Sequence, residues 1–190
     1  MIELPGPWTQ GVAYDVHTLS STYVGPDEHG HDRYDTTRSE MGELVYRLKY
    51  RQDASVLPGI IKLLDNVNGI NQFDCIVPIP PTDKSRAWQP VNEIARALGA
   101  RHNIPVLLDL LEKQPGGRAL KDVTDPEERK TLLKDSLSIA ANASVACRTV
   151  LLVDDLYRSG ATLSAATELL QAAQAKSVCV LTMTKTRSNR

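Results

Sequence analysis

The feature that most constrains this chain lies in its last third, where an apolar run at residues 149–153 is followed by helical spacing over 160–173 and a second apolar run at 177–183. Parallel strands need a helical crossover of this kind, because a tight turn joins only antiparallel ones. A continuous apolar run, without alternation, is what a strand covered on both faces requires. The same texture begins earlier. Cys75-Ile76-Val77-Pro78-Ile79 reads as a buried strand, Val91, Ile94, Ala95 and Leu98 as one face of a helix, and residues 104–108 as a further strand. Sustained alternation predicts an α/β fold, a doubly wound parallel sheet flanked by helices, in which ligands bind beyond the carboxyl ends of the strands.

The first forty residues differ. Residues 11–24 mix Val, Tyr, Thr and Ser as a strand does, and Gly25-Pro26-Asp27 with His29-Gly30-His31 breaks the run. This predicts a β-hairpin or hood-like appendage over residues 1–40 and a core domain over 41–190. Two amphipathic helices should open the core, one beginning at Ser39 with Met41, Leu44, Val45 and Leu48, the next carrying Leu57, Ile60, Ile61 and Leu64. Between residues 111 and 134 the apolar pattern fades around Gly116-Gly117, as in a mobile loop ending in a short helix.

The run Val150-Leu151-Leu152-Val153-Asp154-Asp155-Leu156-Tyr157-Arg158-Ser159-Gly160-Ala161-Thr162-Leu163 carries the chemistry. Four apolar residues anchor a strand, so two carboxylates reach the rim of the sheet on a rigid support. Arg158, Ser159, Gly160, Ala161 and Thr162 follow at a helix start, where unpaired N–H groups and the macrodipole attract phosphate and glycine permits close backbone approach. Paired acids that grip a diol beside such a cradle suit a ribose 5-phosphate. The spacing is too short for a P-loop, and the lysine that motif needs is missing. Acids at a strand end and a Ser at a helix cap also occur for purely structural reasons.

This segment resembles the PRPP (5-phosphoribosyl-1-pyrophosphate) signature of type I phosphoribosyltransferases. The resemblance implies that Asp154 and Asp155 contact the ribose hydroxyls as the catalytic pair. It also implies that Arg158, Ser159, Gly160, Ala161 and Thr162 hold the 5′-phosphate. A second segment, Val77-Pro78-Ile79-Pro80-Pro81-Thr82-Asp83-Lys84-Ser85-Arg86, together with Tyr46-Arg47-Leu48-Lys49-Tyr50, is similar to the ComF-like (competence protein F) and amidophosphoribosyltransferase-like branch. On that likeness Lys84, Ser85 and Arg86 take the pyrophosphate, and Lys113, Arg118 and Lys121 sit on a mobile loop that closes over it. The family uses Mg²⁺ brought in with PRPP, touching Asp154 and Asp155 at most. The implied activity is transfer of the phosphoribosyl group to a nitrogen acceptor with release of pyrophosphate. The alternative is a non-catalytic PRPP- or nucleotide-binding module, regulatory or accessory to DNA uptake.

Charge narrows the partners. With 22 Lys and Arg against 23 Asp and Glu, the net charge is −1, so no global field draws the protein to nucleic acid. PRPP and a small-molecule acceptor are the expected partners, and a homodimer is compatible with the fold. Cys75, Cys147 and Cys179 lie in or beside apolar runs, as buried thiols do, and His17, His29 and His31 lack the thiolates of a structural zinc site. The start of the chain has neither the basic nor the apolar region of a secretion signal, and no apolar stretch nears membrane-spanning length, so a cytoplasmic location is expected.

Overall fold

The computed structural model describes residues 1–81, 88–113, 137–141 and 143–187. In chain order these form β1 (Ile2–Glu3), β2 (Gln10–Val16), β3 (Thr18–Pro26), β4 (Asp32–Arg38), α1 (Glu40–Tyr50), α2 (Leu57–Leu64) and β5 (Cys75–Pro78). There follow α3 (Pro90–His102), β6 (Leu111–Lys113), β7 (Leu137–Ile139), β8 (Thr149–Tyr157), α4 (Ala161–Ala172) and β9 (Ser177–Lys185).

The central sheet has the order β1-β2-β9-β8-β5, parallel throughout except for the short β1, which runs antiparallel to β2. Helices cover both faces, giving the α/β architecture that the strand and helix alternation predicts. Side chains of a strand alternate between faces, and β8 shows what that does here. Val150 and Leu152 pack toward α4 with Leu163, Ala166 and Leu170, whereas Leu151 and Val153 pack toward α1, α2 and α3 with Leu48, Ile60 and Leu98. All four residues are buried, which is why the sequence shows an unbroken apolar run instead of alternation.

The excursion at the start of the chain is smaller than the sequence pattern suggests. Residues 10–16 pair parallel with β9, from Gln10 opposite Cys179 to Val16 opposite Lys185, and so belong to the main sheet. Only β3 and β4 stand outside it, as an antiparallel hairpin with Tyr23 opposite Tyr34. Asp27 ties the hairpin's turn, its Oδ1 accepting from the backbone N–H groups of His29 and His31 at 2.8 Å each.

Two other differences have local causes. The strand expected at 104–108 is reduced to a single parallel bridge, Val106 to Ile76, made by Ile76 N–H to the Pro105 carbonyl and Leu107 N–H to the Ile76 carbonyl, both 2.9 Å. Pro105 has no N–H to extend the ladder. Residues 111–113 form a ribbon with 137–139, a pairing of three-residue strands too short to show a period. Cys147 is exposed, not buried, because it turns the chain into β8 with a left-handed φ of 61°. Cys75 is buried and Cys179 partly so.

Helix α1 is fixed to the sheet by contacts that decide where its last turn points. Ser39 caps it: the hydroxyl accepts from Gly42 N–H at 3.0 Å and donates to the Val16 carbonyl at the end of β2. Gly42 lies so close to the chain after β2 that a Cβ there would sit 2.2 Å from the His17 carbonyl oxygen. Met41, Val45 and Leu48 bury the inward face. With that face fixed, Lys49, one residue past Leu48, is carried to the carboxyl end of β8.

Candidate functional site

A cleft of about 300 Å³ opens at the carboxyl ends of β5 and β8. Asp154 and Asp155 are among its lining residues, joined by Lys49 from α1, Lys113 from β6 and Thr162 from the first turn of α4. The Ile79-Pro80-Pro81 turn and the start of α3, from Pro90 to Asn92, line it as well. Among the described residues, no N-cap side chain closes the first turn of α3 or of α4, whose N-cap is Gly160. The two lysines are matched in number by the two aspartates, and the starts of α3 and α4 border the cleft with the partial positive charge of helix N-termini, which favours phosphate.

The two acids occupy different environments. Both lie within β8, so strand alternation sends their side chains toward opposite faces of the sheet. Asp155 is 6% exposed, and its Oδ2 is 2.6 Å from Lys49 Nζ. Asp154 keeps partial exposure, and its Oδ1 accepts the Asp155 backbone N–H at 2.9 Å. Loss of hydration, reinforced by the Asp155 carboxylate, pushes the Asp154 carboxyl up to about 7. Burial opposes the charge on Lys49, yet the contact with Asp155 outweighs it and raises the lysine. Burial lowers Lys113, with Asp154 pulling the other way.

His17 belongs to the same end of the sheet. Its Nδ1 is 3.1 Å from Thr184 Oγ1, and that hydroxyl donates to the Asp155 carbonyl at 3.2 Å. Burial first, then the Arg38 and Lys49 cations, hold the imidazole below its usual range, while Asp155 opposes them. His29 and His31 lie at the exposed hairpin turn, away from it.

At the strand-to-helix junction Gly160 takes the left-handed φ of 74° and precedes α4. A Cβ there would lie 2.7 Å from the Tyr157 ring, which itself packs edge-on against Trp8 at 6.5 Å. Arg158 and Ser159 are exposed beside it. The Ser159 hydroxyl is 3.5 Å from Ala161 N.

The structure thus brings Asp154, Asp155, Thr162 and Lys113 to one cleft, with Arg158, Ser159 and Gly160 in the adjoining loop and Ala161 opening α4. Lys84, Ser85, Arg86, Arg118 and Lys121, and the short helix expected near residue 134, lie outside the described residues. Trp88 packs against the α1 to α3 side of the core. Lys49 is the site residue that sequence reasoning passed over. Its motif, Tyr46-Arg47-Leu48-Lys49-Tyr50, stands out in the sequence, but only the docking of α1 shows that the lysine meets Asp155.

A family model described as the phosphoribosyl transferase domain matches residues 53–190. No curated protein matches the chain. Among solved structures, the glutamine phosphoribosylpyrophosphate amidotransferase from B. subtilis is similar, at 18% identity, over 83% of this chain and 34% of its own, with a TM-score of 0.51. A structure described as the allosteric regulatory enzyme of purine biosynthesis is similar at 17% identity over 83% of this chain and 34% of its own, with a TM-score of 0.50. Orotate phosphoribosyltransferase from Aeropyrum pernix is similar at 15% identity over 87% of this chain and 74% of its own, with a TM-score of 0.46. The chain spans 34% of the length of the first two. At these identities the likeness is one of fold.

Proposed function

Because the chain belongs to the phosphoribosyl transferase domain family, we propose that it takes PRPP in the cleft above β8 and transfers the 5-phosphoribosyl group to a nitrogen acceptor, releasing pyrophosphate. The observation that carries this reading is that Asp154, Asp155 and the first turn of α4 meet at one strand-to-helix junction and line one cleft. In it, Asp154 and Asp155 face the ribose diol, and residues 158–162 wrap the 5′-phosphate, Thr162 lining the cleft with the acids. Lys113 and the start of α3 supply positive potential for the pyrophosphate, and Lys84, Ser85 and Arg86 are assigned to it on the likeness of their segment. Arg118 and Lys121 would close over the leaving group and exclude water.

The reaction forms a bond from the acceptor nitrogen to the anomeric carbon while the bond from that carbon to pyrophosphate breaks. Pyrophosphate leaves with the electron pair, and the nitrogen gives its proton to water. Positive charge grows on the ribose ring in the transition state, so fixed carboxylates beneath it and fixed cations beside the departing phosphates lower the barrier through placement and electrostatics.

Mg²⁺ is proposed to arrive as part of the PRPP complex, where it would supply charge neutralisation for the departing pyrophosphate. Asp154 is the carboxylate that would face such an ion, since Asp155 is already paired with Lys49. The acceptor is assigned to the hairpin, β3 and β4, the part of residues 1–40 that stands outside the sheet and serves as the hood. The ComF-like affinity is supported by the Tyr46 to Tyr50 and Val77 to Arg86 segments. Among the described residues no helix is long and apolar enough to cross a membrane, which is consistent with the proposed cytoplasmic setting in nucleotide metabolism.

The test is a thermal shift with PRPP, with and without Mg²⁺, since a ligand bound at 100 times its Kd stabilises the fold by about 2.7 kcal/mol. The wild type should shift, and Asp154→Asn with Asp155→Asn should fold and not shift. Retained PRPP affinity in that double variant rejects the site. Pyrophosphate release across a panel of nucleobases and amines then separates transfer from binding alone: tight PRPP binding with no release against any acceptor assigns the chain to the non-catalytic alternative.

A further inference from the structure

Resting on the reading of the cleft as a PRPP site, we propose that residues 4–8 position the loop that takes the 5′-phosphate, acting through the ring of Tyr157, and so help to set the affinity for the phosphate end of the sugar. These residues lie before residues 53–190, the stretch that the family model matches, so the support comes from a part of the chain outside that stretch.

The segment is built as a rigid wall. Pro5 and Pro7 fix the backbone on either side of Gly6. Leu4 and Trp8 are 2% and 7% exposed, and they share a core cluster with Leu163, Ala166 and Leu170 of α4. The Trp8 indole N–H donates to the Leu4 carbonyl at 2.8 Å, which closes the segment on itself and satisfies the ring's one donor. Gly6 and Gly11 border the indole so closely that a Cβ at either would overlap it. The segment is also pinned from outside: Thr9 N–H donates to the Val178 carbonyl at 2.8 Å, and the Gln171 side chain on α4 donates to the Pro7 carbonyl at 3.0 Å.

Tyr157 touches both the wall and the loop. Its ring meets Trp8 edge-on with centroids 6.5 Å apart, and its hydroxyl is 3.4 Å from the Pro5 carbonyl oxygen. The same ring lies against Gly160, where a Cβ would be 2.7 Å away. Tyr157 is the last residue of β8 and Gly160 is the N-cap of α4, so one side chain spans the exposed pair Arg158 and Ser159 from the residue before to the residue after. A loop held in one shape before its ligand arrives binds more tightly, because its ordering cost is not met on binding. Linkage makes the effect reciprocal: if the wall strengthens phosphate binding, bound phosphate strengthens the wall by the same factor.

The experiment is hydrogen exchange of the Trp8 indole N–H in the full chain, read by NMR with and without saturating ribose 5-phosphate, which carries the 5′-phosphate and no pyrophosphate. The chain has two tryptophans, and Trp88→Phe identifies the Trp8 signal. Ribose 5-phosphate should slow that exchange roughly tenfold. Tyr157→Leu should weaken ribose 5-phosphate and PRPP by a common factor of roughly ten and abolish the slowing. Tyr157→Phe keeps the ring and should restore both. Wild-type exchange that bound ribose 5-phosphate leaves unchanged overturns the proposal, and that measurement needs no variant to fold. A folded Tyr157→Leu chain that binds ribose 5-phosphate within about twofold of wild type overturns it as well. The outcomes are separable from those for the parent reading: wild type that takes up neither ribose 5-phosphate nor PRPP removes the transferase reading and this role with it, whereas uptake without the exchange effect removes only the role of residues 4–8.

Discussion

Asp154 and Gly160 set what a single side chain does at this junction. Asp154 holds its proton in the folded chain to about pH 7, against 3.8 for the ordinary carboxyl, so the folded state binds more protons than the unfolded one between those values. The stability that this residue contributes therefore falls as pH rises from about 4 to about 7. Asp154→Asn removes the dependence, and the melting temperature of wild type relative to that variant should decline across the window; a flat difference would contradict the assignment. An ionised Asp154 is also the better acceptor for a ribose hydroxyl, so PRPP affinity should rise as pH passes through about 7. At Gly160, alanine faces a φ of 74° and a Cβ 2.7 Å from the Tyr157 ring. The left-handed conformation alone costs an L-residue roughly 1–2 kcal/mol. Gly160→Ala should lower the melting temperature by that order and weaken the PRPP shift, because relief comes only by moving the start of α4.

At the scale of elements, α1 links the sheet to the cleft. Ser39→Ala removes a helix cap that is 4% exposed and also orphans the Val16 carbonyl it bonds, so a loss of about 1–2 kcal/mol is expected in urea unfolding. The same variant should weaken PRPP binding through Lys49, a coupling that a purely local cap would not show. The unit of β8, α4 and β9 was legible from the sequence, since continuous apolar strands and a glycine before the helix each have one reading there. Asp154 and Asp155 were legible for the same reason, as the residues that end the apolar run. Three features were not. The pairing of residues 111–113 with 137–139 joins strands too short to carry a period and distant in sequence. Residues 10–16 carry a strand composition that does not say which neighbour they join, and the docking on β9 is a tertiary choice. Lys49 is a charged residue on an amphipathic helix, indistinguishable by periodicity from a solvated one, and its partner is fixed by how α1 packs.

At the scale of the molecule, the hairpin and the sheet make separable contributions, and that yields the widest prediction. The hairpin's ends are adjacent, since Thr18 pairs with Arg38, so a short linker can replace residues 19–37 without stretching the chain. Its side chains contribute little to either core: Leu19, Tyr23, Val24 and Tyr34 are each at least 50% exposed. The residues that hold α1 in place, Ser39 and Gly42 with the chain after β2, lie outside the deleted span, as does Arg38, whose guanidinium covers the Tyr46 ring at 3.7 Å. Replacing 19–37 by a few Gly and Ser residues should therefore leave the melting temperature close to that of wild type and keep the PRPP-dependent shift, because the cleft is built from α1, β8 and the starts of α3 and α4. What should disappear is acceptor use, read as pyrophosphate release against the acceptor that the intact chain prefers. A deletion variant that keeps full turnover with that acceptor would move the acceptor site off the hairpin, and one that no longer binds PRPP would show that the hairpin supports the cleft itself.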